Sequence, residues 1–251
     1  MSFAAAMLLA MAIDALVGWP DALYRRIGHP VTWLGALIGG LERALNRGPG
    51  RRLRGVVVAL LVIGVAGGLA ALLARVLPGG WPGVVLTGVL AWPLVAIRSM
   101  HDHVAAVARP LAAGDLPGAR AAVAMIVGRD PARLDEAGVA RAAVESLAEN
   151  TSDGIVAPLF WGVVAGLPGI AAYKAINTLD SMIGHRNERY EQFGWASARI
   201  DDGVNLIPAR LTGGLFALVS GRFGAAVGAM RADARRHRSP NAGWPEAAMA
   251  G

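Results

Sequence analysis

Residues 56–77 include one charged residue, Arg75, and are otherwise apolar or glycine. About 20 such residues are enough for a helix to cross the hydrocarbon core of a bilayer. Inside a bilayer each backbone amide needs a hydrogen-bond partner within the protein, so a single spanning segment must be an α-helix. Four other apolar stretches are shorter or are interrupted by Pro and Gly: 3–17, 84–97, 155–172 and 204–219. The sequence therefore predicts an all-α, polytopic membrane protein with about five apolar segments, some of them broken or re-entrant.

Composition supports the same class, because 55% of the residues are hydrophobic and 33 are glycine. The formal net charge of +6 comes from 23 arginines and the single lysine Lys174. Basic loops beside apolar segments follow the positive-inside rule, which explains this charge without a nucleic-acid partner. The chain has no cysteine, so disulfides, zinc–thiolate sites and cysteine nucleophiles are excluded.

The arginines predict an orientation in the membrane. Seven lie in residues 19–55, six in 98–153 and five after residue 221, which places these segments in the cytoplasm of a multi-pass protein of the cell inner membrane. The segment 98–153 is expected to be a helical cytoplasmic loop, with helices starting after Asp115 and at Asp130-Pro131. Strict alternation then puts residues 173–203 on the outer face. A broken or re-entrant path through 154–172 would keep them inside, and both paths stay open.

Three polar islands interrupt the apolar chain, at residues 145–153, 177–191 and 201–205. They hold eight of the eighteen acidic residues. An ionised carboxylate in low-dielectric surroundings needs a counter-charge, a metal ion or a proton. The islands are therefore the predicted functional site.

The first island follows a charged stripe on a predicted helix. Arg141, Glu145 and Glu149 are spaced four residues apart, so they share one side of the helix. A solvated face explains Arg141 and Glu145 equally well. Glu149 adjoins the island and is the stronger functional candidate.

A repeated pattern, N-T-x-D, links the first two islands. It occurs at residues 150–153 and again at 177–180. Asn and Asp oxygens suit Mg²⁺, which also binds substrate phosphate. Capping of a helix explains a single copy. Two copies, with Asp201 and Asp202 close by in sequence, favour cation or phosphate binding.

The second island ends in a run of charged and aromatic residues at 184–190. Arg186 and Arg189 can each hold a phosphate or carboxylate through two hydrogen bonds, and His185 is a possible proton carrier. A basic segment at the membrane surface with aromatic anchors is an equal alternative. Lys174 could reach a phosphate, although no glycine-rich loop precedes it, which excludes a Walker A site.

Four strings in this order resemble one family: GHPVTWLG (28–35), ESLAENTSDGIVAPLFW (145–161), the segment 173–212 and SPNAGWPEAAMAG (239–251). They are similar to the adenosylcobinamide-phosphate synthase family, the CobD/CbiB membrane proteins of cobalamin biosynthesis. The resemblance covers almost the whole chain, and its two middle strings are long and specific.

The resemblance implies an acid–amine ligase. It would use ATP to join adenosylcobyric acid to (R)-1-aminopropan-2-ol phosphate, or to the free aminoalcohol, and would need Mg²⁺. We predict that the islands supply the site. The predicted roles are Asp153, Asp180, Asp201 and Asp202 for Mg²⁺; Asn150 and Asn177 as supporting ligands; Lys174, Arg186 and Arg189 for phosphate; and Glu149 or His185 as the base.

Family members usually continue past residues 239–251 into another apolar segment, so the chain is expected to lack a C-terminal segment. Residues 1–251 are expected to form one integral membrane domain in contact with lipid, as a homo-oligomer or with other membrane enzymes of cobalamin assembly. Two other functions compete with the ligase. One is a polytopic transporter or channel subunit with carboxylates that relay ions, and the other is a Mg²⁺-dependent membrane phosphotransferase.

Overall fold

The computed structural model describes residues 2–128 and 130–251, and this part of the chain is helical and has no β-strand. The helices are α1 (Phe3–Val17), α2 (Asp21–Ile27), α3 (Pro30–Leu45), α4 (Arg51–Val76), α5 (Gly80–Ala91), α6 (Ile97–Ala112), α7 (Leu116–Val123), α8 (Glu136–Thr151), α9 (Ala157–Ile183), α10 (Trp195–Val204), α11 (Leu206–Val219), α12 (Phe223–Asp233) and α13 (Gly243–Ala250). Short 3₁₀ turns occur at Trp92–Leu94 and Ala234–Arg236, and a π-helical turn at Ser152–Val156. The predicted all-α class is confirmed.

Three helical stretches are long and apolar enough to cross a membrane: Arg51–Val76, Gly80–Ala112 and Glu136–Ile183. Helix α1 and the stretch Asp21–Leu45 would make a fourth if they form one span, and they are bent by 109° at the break between them. Helix α11 is apolar but shorter. The membrane class is confirmed, and the predicted five segments are an approximation to the three or four spans supported within the described residues.

The chain divides into two compact units. The first runs from the start of the chain to Val95 and from Ala157 to Leu206, and the second comprises Ala96–Val156 and Ile207–Gly251. In the first unit Ile38, Val62, Leu179 and Phe193 belong to one buried apolar core. Helix α4 approaches this core closely at Gly55, where a Cβ atom would overlap the Phe193 carbonyl group. Small residues let membrane helices pack in this way.

Helix α9 is interrupted near its middle. Ala165 has φ −130° and ψ 15°, and Gly166 has φ 65°, so neither is helical. The positive φ favours glycine, and a Cβ at Gly166 would also lie about 2.8 Å from the ring of Phe3. Pro168 lies in the first turn of the segment that resumes after this break, a position that suits proline because the N–H there has no helical partner. The expectation of a broken segment within residues 154–172 is therefore confirmed.

The string GHPVTWLG forms a helix start. The His29 ring Nδ1 accepts a hydrogen bond from the Val31 N–H at 3.2 Å. The Thr32 hydroxyl accepts one from the His29 N–H at 3.2 Å, and Pro30 opens α3. This reciprocal pair is a capping box. The capping box explains the residues of this string without a bound ligand.

Two apolar clusters are found among the described residues of the second unit. Helices α6, α7 and α8 contribute Val107, Val123 and Val139 to one, and Ala217 and Met230 belong to the other, which involves α11, α12 and α13. These clusters are rich in alanine, which lets the helix backbones come close together.

The two predicted helix starts in the segment 98–153 have different outcomes. Asp115 caps α7 as expected, accepting a hydrogen bond from the Gly118 N–H at 2.9 Å. The predicted start at Asp130-Pro131 is wrong. The Asp130 carboxylate bonds the Ala132 N–H at 2.9 Å in a local turn, and Asp135 caps α8 five residues later. A short acidic side chain serves a turn as readily as a helix start.

Candidate functional site

The second island occupies one face of the last turns of α9. Lys174, Asn177 and Asp180 are half-buried and are spaced three residues apart, so they lie on the same side of the helix. The other side buries Leu179 and Ile183 in the core of the first unit. Because the apolar residues of α9 face the core, the predicted phosphate and metal ligands Lys174, Asn177 and Asp180 lie together on the opposite side of the helix.

The carboxylate of Asp180 lies against the turn that follows α9. The Asp180 carbonyl accepts a hydrogen bond from the Gly184 N–H at 2.7 Å. A Cβ atom on Gly184 would overlap the Asp180 carboxylate. This glycine therefore allows the chain to pass next to the carboxylate and to place His185 and Arg186 immediately after it.

A salt bridge anchors the loop 184–194. The Arg189 guanidinium donates two hydrogen bonds to Glu42 on α3, from Nε to Oε1 at 3.0 Å and from the second terminal nitrogen to Oε2 at 2.9 Å. Asn46 donates to the Glu42 carboxylate and to the Arg189 carbonyl, each at 3.0 Å. Glu42 is buried. Its hydrogen bonds with Arg189 raise the pKa of the Arg189 guanidinium above the usual arginine value. The geometry gives Arg189 an anchoring role, and phosphate binding by this residue stays a prediction.

Sequence reasoning did not identify Glu42. The signal that could have found it is an isolated acidic residue in the mostly apolar segment 34–45, since such a group needs a cation. The partner could not have been chosen, because several arginines were available.

The loop and α10 enclose a cavity of about 320 Å³. Its charged lining consists of the guanidinium groups of Arg186 and Arg199, the imidazole of His185 and the carboxylate of Glu191. Tyr190 and Trp195 provide aromatic walls. Guanidinium groups bind anions with several oxygens, such as a phosphate, and of these two Arg199 also forms an ion pair with Asp202 at 2.7 Å. The structure thus places two predicted residues, His185 and Arg186, in the same cavity.

Arg199 was missing from the predicted set. It lies one turn before Asp202 on α10, and a terminal guanidinium nitrogen is 2.7 Å from the Asp202 Oδ2. The i, i+3 spacing of an arginine and an aspartate in the third island's helix was the available signal.

The two aspartates of the third island have different surroundings. Asp201 is buried, and its Oδ2 accepts a hydrogen bond from the Asn205 amide at 3.0 Å. The Asn205 Oδ1 in turn accepts one from the Tyr173 hydroxyl at 2.9 Å. Asp202 is half-buried and pairs with Arg199. The predicted metal ligands Asp201 and Asp202 therefore face different neighbours. Within residues 2–128 and 130–251, no three His, Asp or Glu side chains are grouped closely enough to hold a metal ion on their own.

The first island belongs to the second compact unit. Asn150 donates hydrogen bonds to the Ser146 carbonyl at 2.9 Å and hydroxyl at 3.2 Å, and Asp153 lies in the π-helical turn. Both copies of N-T-x-D lie away from a helix start, since Asn150 is near the end of α8 and Asn177 is inside α9. The capping interpretation is therefore wrong. Convergence of Glu149, Asn150 and Asp153 with the other islands stays a prediction.

The second unit contains a charged cavity of its own, with a volume of about 490 Å³. Arg141 and Glu145 line it, and Arg141 is exposed while Glu145 is half-buried, so a solvated face remains an explanation of the predicted stripe. The imidazole Nε2 of His237 lies 3.7 Å from the Glu246 Oε2, and both residues also line the cavity. Burial raises the pKa of the Glu246 carboxyl, Glu149 and Glu145 raise it further, and His237 opposes the shift.

The string SPNAGWPEAAMAG builds part of this unit. The guanidinium of Arg210 lies 4.6 Å from the centroid of the Trp244 ring, which stabilises the charge on an otherwise apolar helix. A Cβ on Gly243 would overlap the Ala234 carbonyl, so α13 packs closely against the preceding turn. Sequence reasoning missed His237 and Glu246 as site residues, although Glu246 lies within the string.

The CobD/Cbib protein family model matches residues 7–251. The chain belongs to the CobD/CbiB family. A relative from Rhodobacter capsulatus is 72% identical over all of this chain and 80% of its own length. A Sinorhizobium relative is 52% identical over 97% of this chain and 79% of its own length, and one from Brucella suis is 50% identical over 97% and 78%. All three are named cobalamin biosynthesis protein CobD. No solved structure matches this member of the family.

Proposed function

We propose that the protein is an ATP-dependent ligase of cobalamin biosynthesis in the cell inner membrane. It joins the free propionate of adenosylcobyric acid to the amine of (R)-1-aminopropan-2-ol phosphate, or of the free aminoalcohol, through an amide bond. Membership of the CobD/CbiB family and the names of the relatives support the pathway. The apolar helices and the clustered arginines support the location.

The reaction needs an activated carboxylate, because a carboxylate anion is a poor electrophile. A propionate oxygen attacks the γ-phosphorus of ATP, the bond from that phosphorus to the β,γ-bridging oxygen breaks, and ADP leaves. The product is an acyl phosphate. The amine then loses a proton to a base and attacks the acyl carbon, and inorganic phosphate leaves with the electrons of the broken carbon–oxygen bond.

The observation that carries the proposal is the cavity in which Arg186 and Arg199 lie with His185. Preorganised guanidinium groups stabilise the charge that develops on transferring phosphoryl oxygens. Arg186 and Arg199 hold the phosphoryl oxygens in this proposal. Lys174 and Asn177 extend the polar surface along α9, on the same face as Asp180.

In this proposal the carboxylates of the islands bind a magnesium ion together with substrate phosphate. Mg²⁺ keeps several waters and takes one or two carboxylates plus substrate phosphates, so a preassembled protein triad is not required. We propose Asp153, Asp180, Asp201 and Asp202 as its candidate protein ligands, with Asn150 and Asn177 as support. When bound, Mg²⁺ neutralises the charge of the nucleotide. His185, which lines the cavity, or Glu149 of the second unit acts as the base.

The test is direct detection of the amide. The protein in lipid nanodiscs is incubated with adenosylcobyric acid, aminopropanol phosphate and Mg-ATP, and the product is identified by mass. We expect a product at the summed mass of the two substrates minus water, with one ADP formed per amide. Absence of the amide in a preparation that remains folded would reject the ligase. Flux of a substrate across liposomes without covalent product would favour transport instead.

A matched pair of variants tests the cavity. Replacement of Arg186 by alanine should lower kcat/KM for ATP by about 100-fold or more, because one fixed phosphate-binding cation is lost. Arg26→Ala removes an exposed arginine elsewhere in the first unit and should leave the rate unchanged. Equal rates for the two variants would remove Arg186 from the site.

A further inference from the structure

Four arginines lie where the chain enters α4, the longest single apolar helix of the first unit. Arg47 is in the turn after α3, and Arg51, Arg52 and Arg54 begin α4. Arg51 is half-buried and the other three are exposed. The turn at residues 48–50 is exposed as well, and a Cβ atom on either of its glycines would meet no described atom within 4 Å beyond its chain neighbours. We call these four residues the arginine patch, and its surface is accessible from outside.

The positive charge of the arginine patch is not neutralised by the described part of the chain. Arg54 donates a hydrogen bond to the Arg47 carbonyl, and Arg51 donates one to the Glu188 carbonyl at 3.4 Å. Both acceptors are uncharged, and no described carboxylate forms an ion pair with any of the four arginines. The first turn of α4 contains no acidic residue, and the positive end of the helix dipole adds to the arginine charge. The surface therefore favours an anion.

An apolar stripe continues along α4 from its first turn. Leu53, Val57 and Leu60 are spaced three or four residues apart, so they share one face of the helix, and they are 70%, 53% and 61% exposed. The Arg52 guanidinium lies 3.9 Å from the centroid of the Trp195 ring, and tryptophan is enriched at the boundary between lipid headgroups and hydrocarbon. Because α4 is long and apolar enough to cross a membrane, its first turn lies at this boundary and its exposed stripe faces the acyl chains.

We propose that the arginine patch is a binding surface for anionic phospholipids of the cytoplasmic leaflet. The guanidinium groups bind the phosphate of the headgroup, and Leu53, Val57 and Leu60 contact the acyl chains. Residues 19–55 are predicted to be cytoplasmic, and basic residues beside a membrane span are attracted to anionic lipid in that leaflet. A soluble phosphate would use the arginines alone, whereas a phospholipid also covers the apolar stripe. The two adjacent surfaces thus match the two parts of a phospholipid.

The test is native mass spectrometry of the full chain in detergent, with phosphatidylglycerol and phosphatidylcholine that carry the same acyl chains. We expect phosphatidylglycerol to bind at least about tenfold more tightly, because each arginine at an anionic membrane surface contributes about fivefold in affinity. Added salt should weaken the binding of phosphatidylglycerol more than that of phosphatidylcholine, since it screens exposed charges. Equal affinity for the two lipids would overturn the proposal.

Matched variants test the individual arginines. The double variant Arg47→Gln/Arg54→Gln should weaken phosphatidylglycerol binding by about 10- to 30-fold, and Arg52→Gln by about fivefold. Arg75→Gln removes an exposed arginine from the last turn of the same helix and should retain the wild-type affinity. Circular dichroism checks that each variant is folded, and Arg52→Gln decides the test if the double variant does not fold. Retained affinity in Arg52→Gln, or an equal loss in Arg75→Gln, would overturn the proposal.

A soluble anion is the alternative occupant of the patch. Inorganic phosphate at millimolar concentration and constant ionic strength should leave bound phosphatidylglycerol in place. Displacement of the lipid by phosphate would assign the patch to soluble anions and overturn the proposal.

Lipid binding is also separable from the ligation, because none of the four arginines lines the cavity assigned to ATP. Selective phosphatidylglycerol binding that the patch variants weaken, in a protein that forms no amide, supports the lipid surface and rejects the ligase. Amide formation by a protein that binds the two lipids equally supports the ligase and overturns the lipid surface.

Discussion

The charged cavities of the two compact units differ in the sign of their lining. The first has two guanidinium groups and one carboxylate, and the second has two guanidinium groups and three carboxylates. Each also contains one histidine, His185 in the first and His237 in the second. The difference in sign predicts that each cavity by itself favours ligands of different charge.

The cavities also differ in how they are held. The loop of the first cavity is anchored by Arg189 to Glu42, which is 147 residues away in sequence. Arg141 and Glu145 of the second cavity are neighbours on one helix. The anchored loop depends on the tertiary fold, whereas the spacing of Arg141 and Glu145 is already present in the secondary structure.

The largest effect is expected from reversing one positive charge in the lining of the first cavity, which tests whether the sign of that lining matters. We expect Arg199→Glu to lower kcat/KM for ATP by about 1,000-fold, because a phosphate ligand is replaced by a repulsive carboxylate. Steady-state kinetics of amide formation measure this loss. Arg26→Glu is the control and should retain the rate. An Arg199→Glu enzyme with normal affinity for ATP would show that the sign of this cavity is irrelevant to nucleotide binding.

Loss of the ion pair between Glu42 and Arg189 tests whether the first cavity depends on this anchor of its loop. Glu42→Gln keeps the side-chain shape but loses the ion pair with Arg189, so the loop that holds His185 and Arg186 is less well positioned. We expect kcat/KM for ATP to fall by about 10- to 100-fold, mainly through KM, since a displacement of about 1 Å can cost 100-fold. Glu188→Gln, an exposed carboxylate in the same loop, is the matched control. Equal kinetics for the two variants would argue against an anchoring role.

A smaller effect is expected on the free energy of unfolding, which should depend on pH through the Glu246 carboxyl of the second cavity. The pKa of Glu246 is raised in the folded protein, so the protonated carboxyl stabilises the fold relative to the charged form. This contribution is complete below the ordinary glutamate pKa and is lost as the pH rises through the raised pKa. Other titratable or charged groups nearby are Glu145, Glu149, Arg141, Asp233, Arg236 and His237.

Denaturation of the wild-type protein and Glu246→Gln from pH 4 to pH 8 measures this contribution. We expect the wild-type protein to lose free energy of unfolding relative to the variant over that window. Parallel stability curves for the two proteins would contradict the raised pKa.

The smallest effect on the protein itself is expected from single cysteine substitutions. They are used to determine which side of the membrane the loop of the first cavity faces. The chain has no cysteine, so Gln192→Cys and Arg238→Cys each introduce a single exposed thiol. We expect an impermeant thiol reagent to label both only in inside-out vesicles, since the tail is predicted to be cytoplasmic and ATP is a cytoplasmic substrate. Labelling of Gln192→Cys in intact cells would contradict a cytoplasmic phosphate site.

Local patterns predicted much of the fold. The helical class, the span at Arg51–Val76 and the interruption within 154–172 follow from apolar length and from Pro and Gly, which act on the backbone near them. The start of α8 could not be predicted in the same way, because Asp130 and Asp135 are both suitable caps. Packing of α8 against α6 and α7 accompanies the choice of Asp135.

The sequence by itself determined the family, the membrane-spanning class and the islands that hold most of the candidate ligands, because these depend on residue type and local spacing. Only the tertiary structure decided which charges meet. The pairing of Glu42 with Arg189, the place of Arg199 beside His185, and the cavity that joins Arg141 to Glu246 each connect residues from separate helices or loops. Coulombic interaction depends on distance in space, and for residues far apart in the chain that distance is set by packing.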